Sequence, residues 1–508
     1  MSDLGLEAPD YFSKLIAHGC RHLPISRELV ADFETPLSCY VKVARGPYSY
    51  LLESANQGGE KWSRYSIIGL PARRILKISG YQLVQIDEGE VVRNETVVDP
   101  LSEIEQLQAN FSYPACPGMP NYTGGLVGYF GYDTVRYVEP KIRDSAPVDD
   151  LKTADIVLMV SDDVIVFDNV KGKMHLITHV DDASDQQLAE AGLRLDAMEG
   201  ALRANIPEAF RAPLVSPELE DGDFTSSYPE AKFKAAVEAL KEYILAGDCM
   251  QVILSQRLSC AFEAEPLNLY RALRGLNPSP YMYFMDLDAE QIVSSSPEIL
   301  ARLEQGEVTV RPLAGTRRRG KTPEDDAKME SELINDPKEL AEHLMLIDLG
   351  RNDIGRVCEP GTVQVSEMMS IERYAHVMHI ASNVTGRLKE GLSCMDVLRA
   401  TLPVGTLSGA PKVRALQLID AFEPVKRGIF GGAVGYLSWQ GQMDTAIAIR
   451  TAIIKSGQLH VQAGAGVVAD SIPDLEWKET QNKARSVIQA AKIAENGLQF
   501  FGHPGGNR

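Results

Sequence analysis

Between residues 38 and 98 the chain is a succession of short strand-like pieces, YSYLLES, YSIIGL, RRILKIS and YQLVQID, divided by polar breaks such as ANQGGEK and DEGE. Runs of β-branched and aromatic residues bounded by Gly, Asn and Asp spell strands joined by turns. A second cluster, DIVLMVSDDVIVFDNVKGKMHLITHV, repeats the pattern, with residues 168–172 as a hairpin turn. Helical patterns come irregularly. One covers residues 184–203 with Ser184 as N-cap, and EAKFKAAVEALKEYILAGD closes on Gly247 as a C′ glycine. Others fall at residues 267–275, 338–349, 411–422 and 473–494, with strands such as YMYFMDL, EVTVRPL and DTAIAIRTAII between them. Strict βαβ alternation is missing, so the expected class is α+β, with large antiparallel sheets flanked by helices. The stretch IPEAFRAPLVSPELEDGDFTSSYP, with its prolines and acidic patch, reads as a linker. It divides the chain into residues 1–205, a linker at 206–229 and a second region at 230–500.

Composition narrows the partners. Lys plus Arg is 51 against Asp plus Glu 70, a net charge of −19. That argues against nucleic acid or an anionic membrane as main partner, and an anionic substrate would need a locally positive site. Seven cysteines are scattered without a CxxC pair, which suggests neither a disulfide framework nor a thiolate zinc site. The N-terminus lacks a targeting pattern and no apolar run approaches the ~18 residues of a membrane span, so a cytoplasmic location is expected.

Several segments could carry chemistry. In QAGAGVVADSIPDLEWKETQNKARSV a strand-like run leads into a glycine-punctuated turn, Gly464-Ala465-Gly466. Pro473 then suits a first helical turn, and Glu476, Glu479 and Lys483 share one helix face. Two carboxylates and an ammonium beside exposed backbone N–H groups suit a divalent cation with a small anion. A solvated, salt-bridged face has the same spacing. Glu342 precedes the apolar run LMLIDL, so its carboxylate needs a basic partner or a metal. His376 and His379 lack a third nitrogen or sulfur ligand nearby, which argues against zinc and leaves a base or a structural ring. LPVGTLSGAPKVRALQLIDAFE is a glycine-rich loop entering a helix, with Ser408 as N-cap and Pro411 in the first turn. Its spacing is not that of a phosphate loop. RPLAGTRRRG holds a second Gly-Thr turn beside the basic run Arg317 to Arg319, which alone reads as a solvated loop.

Taken together these motifs, with SSSPEIL, GAVGYL and AIAIRTA, occur in the order found in the chorismate-utilising enzymes, and the chain resembles that family over residues 223–497. The resemblance implies a magnesium-dependent enzyme acting on chorismate, an anion with two carboxylates. It implies Glu342, Glu476 and Glu479 as the magnesium carboxylates. It implies a substrate cradle of Gly315, Thr316, Thr406, Arg450, Lys483 and the backbone of Gly464, Ala465 and Gly466. Glu298 is implied as the acid assisting loss of the ring hydroxyl, and His379 as the base. Phe430 stands where many relatives have tyrosine, so the aromatic wall is kept and a hydroxyl is lost.

Two positions separate branches of the family. Isochorismate- and salicylate-forming members have a water-activating lysine before VILS, where this chain has Gln251. Members that aminate ring carbon 4 resemble PIKGT, where this chain has Ala314 in place of the lysine. Glutamine cannot deprotonate water but tolerates ammonia, already a nucleophile. What remains is ammonia attack at ring carbon 2 and loss of pyruvate, giving anthranilate by way of aminodeoxyisochorismate. No glutaminase nucleophile is visible, so ammonia is expected from a separate glutamine amidotransferase subunit, in a heterotetramer of two large and two small subunits. Leu52, Glu53 and Ser54, with Asn277, Pro280, Tyr281 and Met282, match the elements that bind feedback-inhibiting L-tryptophan in this branch. The alternatives are a sibling chorismate enzyme making isochorismate or an aminodeoxychorismate, or a non-catalytic tryptophan-sensing module. The last predicts missing metal carboxylates, yet all three glutamates are present.

Overall fold

Two antiparallel sheets of 12 strands each organise the computed structural model, which describes residues 15–16, 20, 22–55, 64–116, 118–211, 215, 219–374 and 377–499. The first sheet runs, neighbour by neighbour, through Leu23–Val30, Lys173–Val180, Val164–Asp168, Tyr65–Gly69, Ser49–Glu53, Tyr281–Asp286, Glu290–Ser296, Thr451–Lys455, Gln458–Val467, Gln251–Ala261 and Thr225–Ser226. The second runs through Leu313–Arg318, Val377–Arg387, Glu307–Val310, Ile299–Glu304, Met443–Ile447, Ala433–Ser438, Gly125–Phe130, Ile156–Ser161, Arg74–Ser79, Gln82–Asp87 and Glu90–Thr96. The twelfth strand of each sheet lies off this path, Gly409–Ala410 beside Gln251–Ala261 in the first and Gln364–Arg373 beside Val377–Arg387 in the second. The α+β class with large antiparallel sheets is thus as the sequence implies.

Period-2 alternation decides how the sheets meet. Ile67, Val164, Val166, Tyr283 and Ile292 of the first sheet share a buried cluster with Ile75, Val127, Val157, Met159 and Val434 of the second. Their alternate neighbours, among them Ile68, Ile165, Leu76 and Leu158, belong to another cluster with the helices Asp185–Leu202, Pro266–Leu276 and Pro473–Glu495. Strands such as Ile156–Ser161 are buried along their whole length, which is why they read as continuous apolar runs.

The division near residues 206–229 does not separate sheets. Leu52 pairs with Tyr283 in one, and Tyr129 pairs with Val434 in the other. Strands from both ends of the chain therefore complete each sheet. No helix among the described residues is long and apolar enough to cross a membrane.

Candidate active site

The chain passes repeatedly between the two sheets, and two of these passages carry ionisable residues of the candidate site. Glu298 lies between Glu290–Ser296 of the first sheet and Ile299–Glu304 of the second, and Arg450 lies between Met443–Ile447 and Thr451–Lys455. The crossings are tied to each other: Ile447 N–H donates to the Glu298 carbonyl at 3.0 Å and Ser295 N–H to that of Arg450 at 3.2 Å. Arg450 is held at φ 51°, a left-handed conformation that costs a non-glycine residue of order 1 kcal/mol. Such strain persists only where the surroundings impose it, and here it aims a guanidinium at the seam.

Glu298 is buried, and its carboxyl is pushed up to about 8 by that burial, against the bond from Thr406 and the charges of Lys483 and Arg450. Thr406 Oγ1 donates to Glu298 Oε1 at 3.3 Å. The group is therefore neutral at physiological pH and can donate a proton. His379, on Val377–Arg387, is lowered from the ordinary histidine range, first by burial. Its Nδ1 lies 2.9 Å from the Gly315 carbonyl, with Thr316 Oγ1 at 3.1 Å. A carbonyl only accepts, so Nδ1 carries the proton and Nε2 keeps a free lone pair. His376 falls outside the described residues.

Two helices bring the carboxylates. Pro337–Gly355 starts at Asp336, whose side chain accepts from the N–H groups of Lys338 and Glu339, and His343 Nε2 lies 2.7 Å from Ser382 Oγ on the His379 strand. Glu342 then faces Gln251, whose Nε2 donates to Glu342 Oε1 at 3.3 Å. The helix Pro473–Glu495 buries Thr480, Ala484 and Val487 and accepts a bond from Gln256 at Thr480, 2.6 Å, which turns Glu476, Glu479 and Lys483 to the cleft. Glu342 is raised by burial and by the neighbouring Glu339, with Glu479 adding to it. Glu476 is raised by burial and by Glu479. Glu342 and Glu476, partly buried and both near the Glu479 charge, are a donor set short of positive charge, and a hard divalent cation fits it. Lys483 Nζ reaches Glu479 at 2.7 Å and the Gly464 carbonyl at 2.9 Å.

Several local expectations change. Gly464, Ala465 and Gly466 form no turn; they lie within the strand Gln458–Val467. A Cβ on Gly466 would come 2.5 Å from Gln251 Nε2, and one on Gly464 2.8 Å from Ile253 Cγ2, so these glycines let the neighbouring strand's side chains lie across them. The pairing with Thr451–Lys455 stops at Val461, leaving one backbone edge of the glycine segment, beside Lys483, without a strand partner among the described residues. Gly315 is a bulge in Leu313–Arg318, with φ 64°, a conformation for which glycine is suited. Ser408 is not the N-cap: its hydroxyl donates to the Val404 carbonyl, and Pro411 occupies the cap of Lys412–Phe422. The basic run is the end of a strand rather than a loop, with Arg317 paired to Asp336 at 2.7 Å and the exposed Arg319 to Asp326 at 2.8 Å. Phe430 is buried beside Arg427.

A second cavity, of about 340 Å³, opens elsewhere between the sheets and is lined by Leu52, Glu53, Ser54, Pro280, Tyr281 and Met282. Arg302, Tyr436 and Asp444 line it from the second sheet. Glu53 is already bound by Tyr270 and by Arg274, at 3.1 Å. Tyr281 OH donates to Asp444 at 2.9 Å, while the buried Ser54 hydroxyl lacks a hydrogen-bond partner among the described residues. Asn277 does not line this cavity; it caps Pro266–Leu276 and bonds Ser295 Oγ at 3.3 Å.

One further group of possible metal ligands among the described residues is formed by the buried His22 and His179 with the half-buried Asp162. His179 Nδ1 is engaged with the Asp162 carbonyl at 2.7 Å and Nε2 with Tyr113 OH at 2.8 Å. With His22 stacked on it at 4.3 Å, the trio is a hydrogen-bonded core stack whose nitrogens are mostly spent.

A neutral carboxylic acid, a neutral imidazole and facing cations and carboxylates on a seam between two antiparallel sheets define an acid–base site for a small anion. The chain belongs to the chorismate binding enzyme family, whose model matches residues 48–489. Within that family it is 54% identical to anthranilate synthase component 1 of Pseudomonas putida, over 95% of this chain and 98% of that one. It is 46% identical to anthranilate synthase component 1 of Aquifex aeolicus, over 93% and 95%. The crystal structure of anthranilate synthase component I from Streptococcus pneumoniae TIGR4 matches with a TM-score of 0.75 at 37% identity, covering 91% of this chain and 99% of that one. The menaquinone-specific isochorismate synthase of Escherichia coli shares the fold, with a TM-score of 0.68 at 18% identity over 94% and 98% of the two chains.

The sequence pointed to each of these side chains singly. It missed Glu423 and Arg427, a buried pair behind the cleft, because an i,i+4 acid and base in EPVKR look like any surface pair.

Proposed function

We propose that this protein is the large subunit of anthranilate synthase, converting chorismate and ammonia to anthranilate, pyruvate and water. The observation that carries the reading is Gln251. Its Nε2 is committed to Glu342, and its buried Oε1 lacks a hydrogen-bond partner among the described residues. An unpaired buried amide oxygen can accept from the N–H of ammonia but cannot take a proton from water. The relatives named above support the same choice.

Arg450 and Lys483 hold the substrate carboxylates, with the open backbone edge at Gly464 and Gly466 and the Gly315–Thr316 bulge. Phe430 walls the ring. Glu342, Glu476 and Glu479 would hold Mg²⁺, which supplies positive charge to a substrate carboxylate and helps orient the ring. Ammonia attacks ring carbon 2, the double bonds shift, Glu298 protonates the hydroxyl leaving carbon 4 as water, and the new ammonium releases one proton to solvent. That gives aminodeoxyisochorismate. His379 Nε2 then removes the proton from carbon 2, the enolpyruvyl C–O bond breaks with its electrons going to oxygen, and protonation of the released enolate at its methylene carbon gives pyruvate as the ring becomes aromatic.

The 340 Å³ cavity is assigned to tryptophan as feedback inhibitor. Its walls are strands whose far ends carry Glu298 and Arg450, which offers a direct route for coupling. Ammonia comes from a separate glutaminase subunit, in a cytoplasmic heterotetramer of two large and two small subunits.

Purified protein incubated with chorismate, Mg²⁺ and an ammonium salt should release anthranilate and pyruvate in equal amounts, and should do nothing with glutamine alone. Isochorismate, or an aminodeoxychorismate without pyruvate, as sole product would overturn the assignment.

A further inference from the structure

Arg427 and Glu423 are among the most enclosed charges in the molecule, with side chains 1% and 2% exposed. Neither touches the cleft. A buried ion pair brings little net stability, since desolvation offsets most of its attraction. Its contacts are therefore more informative than its charge.

The guanidinium spends four of its five N–H groups. Nε donates to Glu423 Oε2 at 2.9 Å and Nη2 to Glu423 Oε1 at 2.6 Å. Nη1 donates to the Leu407 carbonyl at 2.6 Å, and Nη2 also to the Ile253 carbonyl at 2.9 Å. Glu423 Oε1 in turn accepts from both the backbone N–H and the hydroxyl of Ser255, each at 2.8 Å. The guanidinium carbon lies 4.6 Å from the Tyr132 ring centre and 5.7 Å from that of Phe430.

Three of these contacts reach the cleft's side chains. Leu407 follows Thr406, which bonds Glu298. Ile253 lies two residues beyond Gln251, which bonds Glu342. Phe430 is the ring wall itself. The three come from separate pieces of chain: the turn Gly405–Leu407, the strand Gln251–Ala261, and the loop before Ala433–Ser438. Only a planar, forked cation can hold two carbonyls in different directions and a carboxylate edge-on at once; an ammonium is a point charge.

The geometry points to Arg427, anchored by Glu423, as a positioning residue that locks the acid-orienting turn, the nucleophile-side strand and the aromatic wall into one arrangement. The inference rests on the chorismate chemistry proposed above for the cleft. It predicts that Arg427→Lys, which keeps the charge and loses the fork, lowers kcat at least tenfold while the KM for chorismate moves less than threefold. A variant that merely loosened the fold would lose active protein and thermal stability together without that split.

Coupling gives a second reading of the same idea. If Arg427 acts through Thr406, the Arg427→Lys, Thr406→Val double variant is no more than about twofold slower than the worse single variant, because residues in one chain of contacts are non-additive. Glu423→Asp withdraws the anchor by one carbon and keeps the ion pair, so it should show the same kcat-selective loss even if Arg427→Lys does not fold. Full kcat in either folded single variant, or losses that multiply in the double variant, would overturn the inference while wild-type turnover leaves the proposed function standing. Wild-type protein inert towards chorismate would take both away.

Discussion

The cleft and the 340 Å³ cavity are both built on the seam between the sheets, and they treat charge in opposite ways. In the cavity, Glu53 is held by Tyr270 and Arg274, and Asp444 by Arg302 and Tyr281. In the cleft, burial and the charge of Glu479 raise Glu342 and Glu476, Gln251 leaves an oxygen without a hydrogen-bond partner among the described residues, and Glu298 is kept protonated by burial. Self-neutralised walls suit a zwitterion that arrives and leaves unchanged. Unbalanced walls suit a metal and a dianion, whose arrival supplies the missing charge. The comparison sets a cavity, proposed as regulatory, whose carboxylates are paired in advance, against a cleft whose charges stay unbalanced until substrate binds.

The largest expected effect follows from Glu298→Gln. Loss of a general acid costs roughly 10²–10⁴-fold in kcat, read by initial rates of anthranilate formation. The sign of the stability change is opposite. Because the native carboxyl is raised to about 8, the folded state keeps a proton that the unfolded chain releases from about pH 4.3 upward, so stability falls as pH rises through that window. Glutamine has no such proton, and the variant should gain about 1–3 kcal/mol at neutral pH by denaturant unfolding. In the wild type the donor form is lost as pH rises through 8, giving an alkaline fall in kcat that reflects this group. A variant both slower and less stable would break the claim that the cleft stores a deficit.

Next is Glu476→Gln, which removes one of the crowded carboxylates. The Mg²⁺ concentration for half-maximal rate should rise roughly 10- to 100-fold, as for other losses in a metal shell. An unchanged magnesium titration would remove Glu476 from the metal set. The smallest effect is expected in the cavity. Ser54→Ala deletes a buried hydroxyl without a partner among the described residues that tryptophan is proposed to use. One neutral hydrogen bond is worth about 1 kcal/mol, so the inhibition constant should rise about fivefold, with the uninhibited rate changing less than twofold. Equal inhibition in variant and wild type would unseat the hydroxyl from the ligand's contacts.

Strands were legible in the sequence wherever one chain segment decides its own pattern, as in Ile156–Ser161 or Lys173–Val180. Helix ends with a local cap were legible too, as at Ser184. What local text does not carry is which strand lies beside which. Nothing in GAG distinguishes a turn from a strand whose glycines make room for Gln251, because the crowding atom is more than two hundred residues away in sequence. Glu298 and Arg450 could be picked out by family resemblance, but not their shared place at the sheet crossings. The buried Glu423 and Arg427 were invisible for the same reason: burial is a property of what folds over a residue.

Strand interleaving also sets a timetable for synthesis. Leu52 emerges from the ribosome long before its partner Tyr283. At about 5–20 residues per second the open edge of Ser49–Glu53 waits roughly 10–50 s for its neighbour. Neither end of the chain can finish a sheet alone, so the newborn protein gains its final architecture only when nearly all of it has been made. A cut anywhere near the middle would release two fragments that each need the other, and mixing them would be a fairer trial of independence than studying either one.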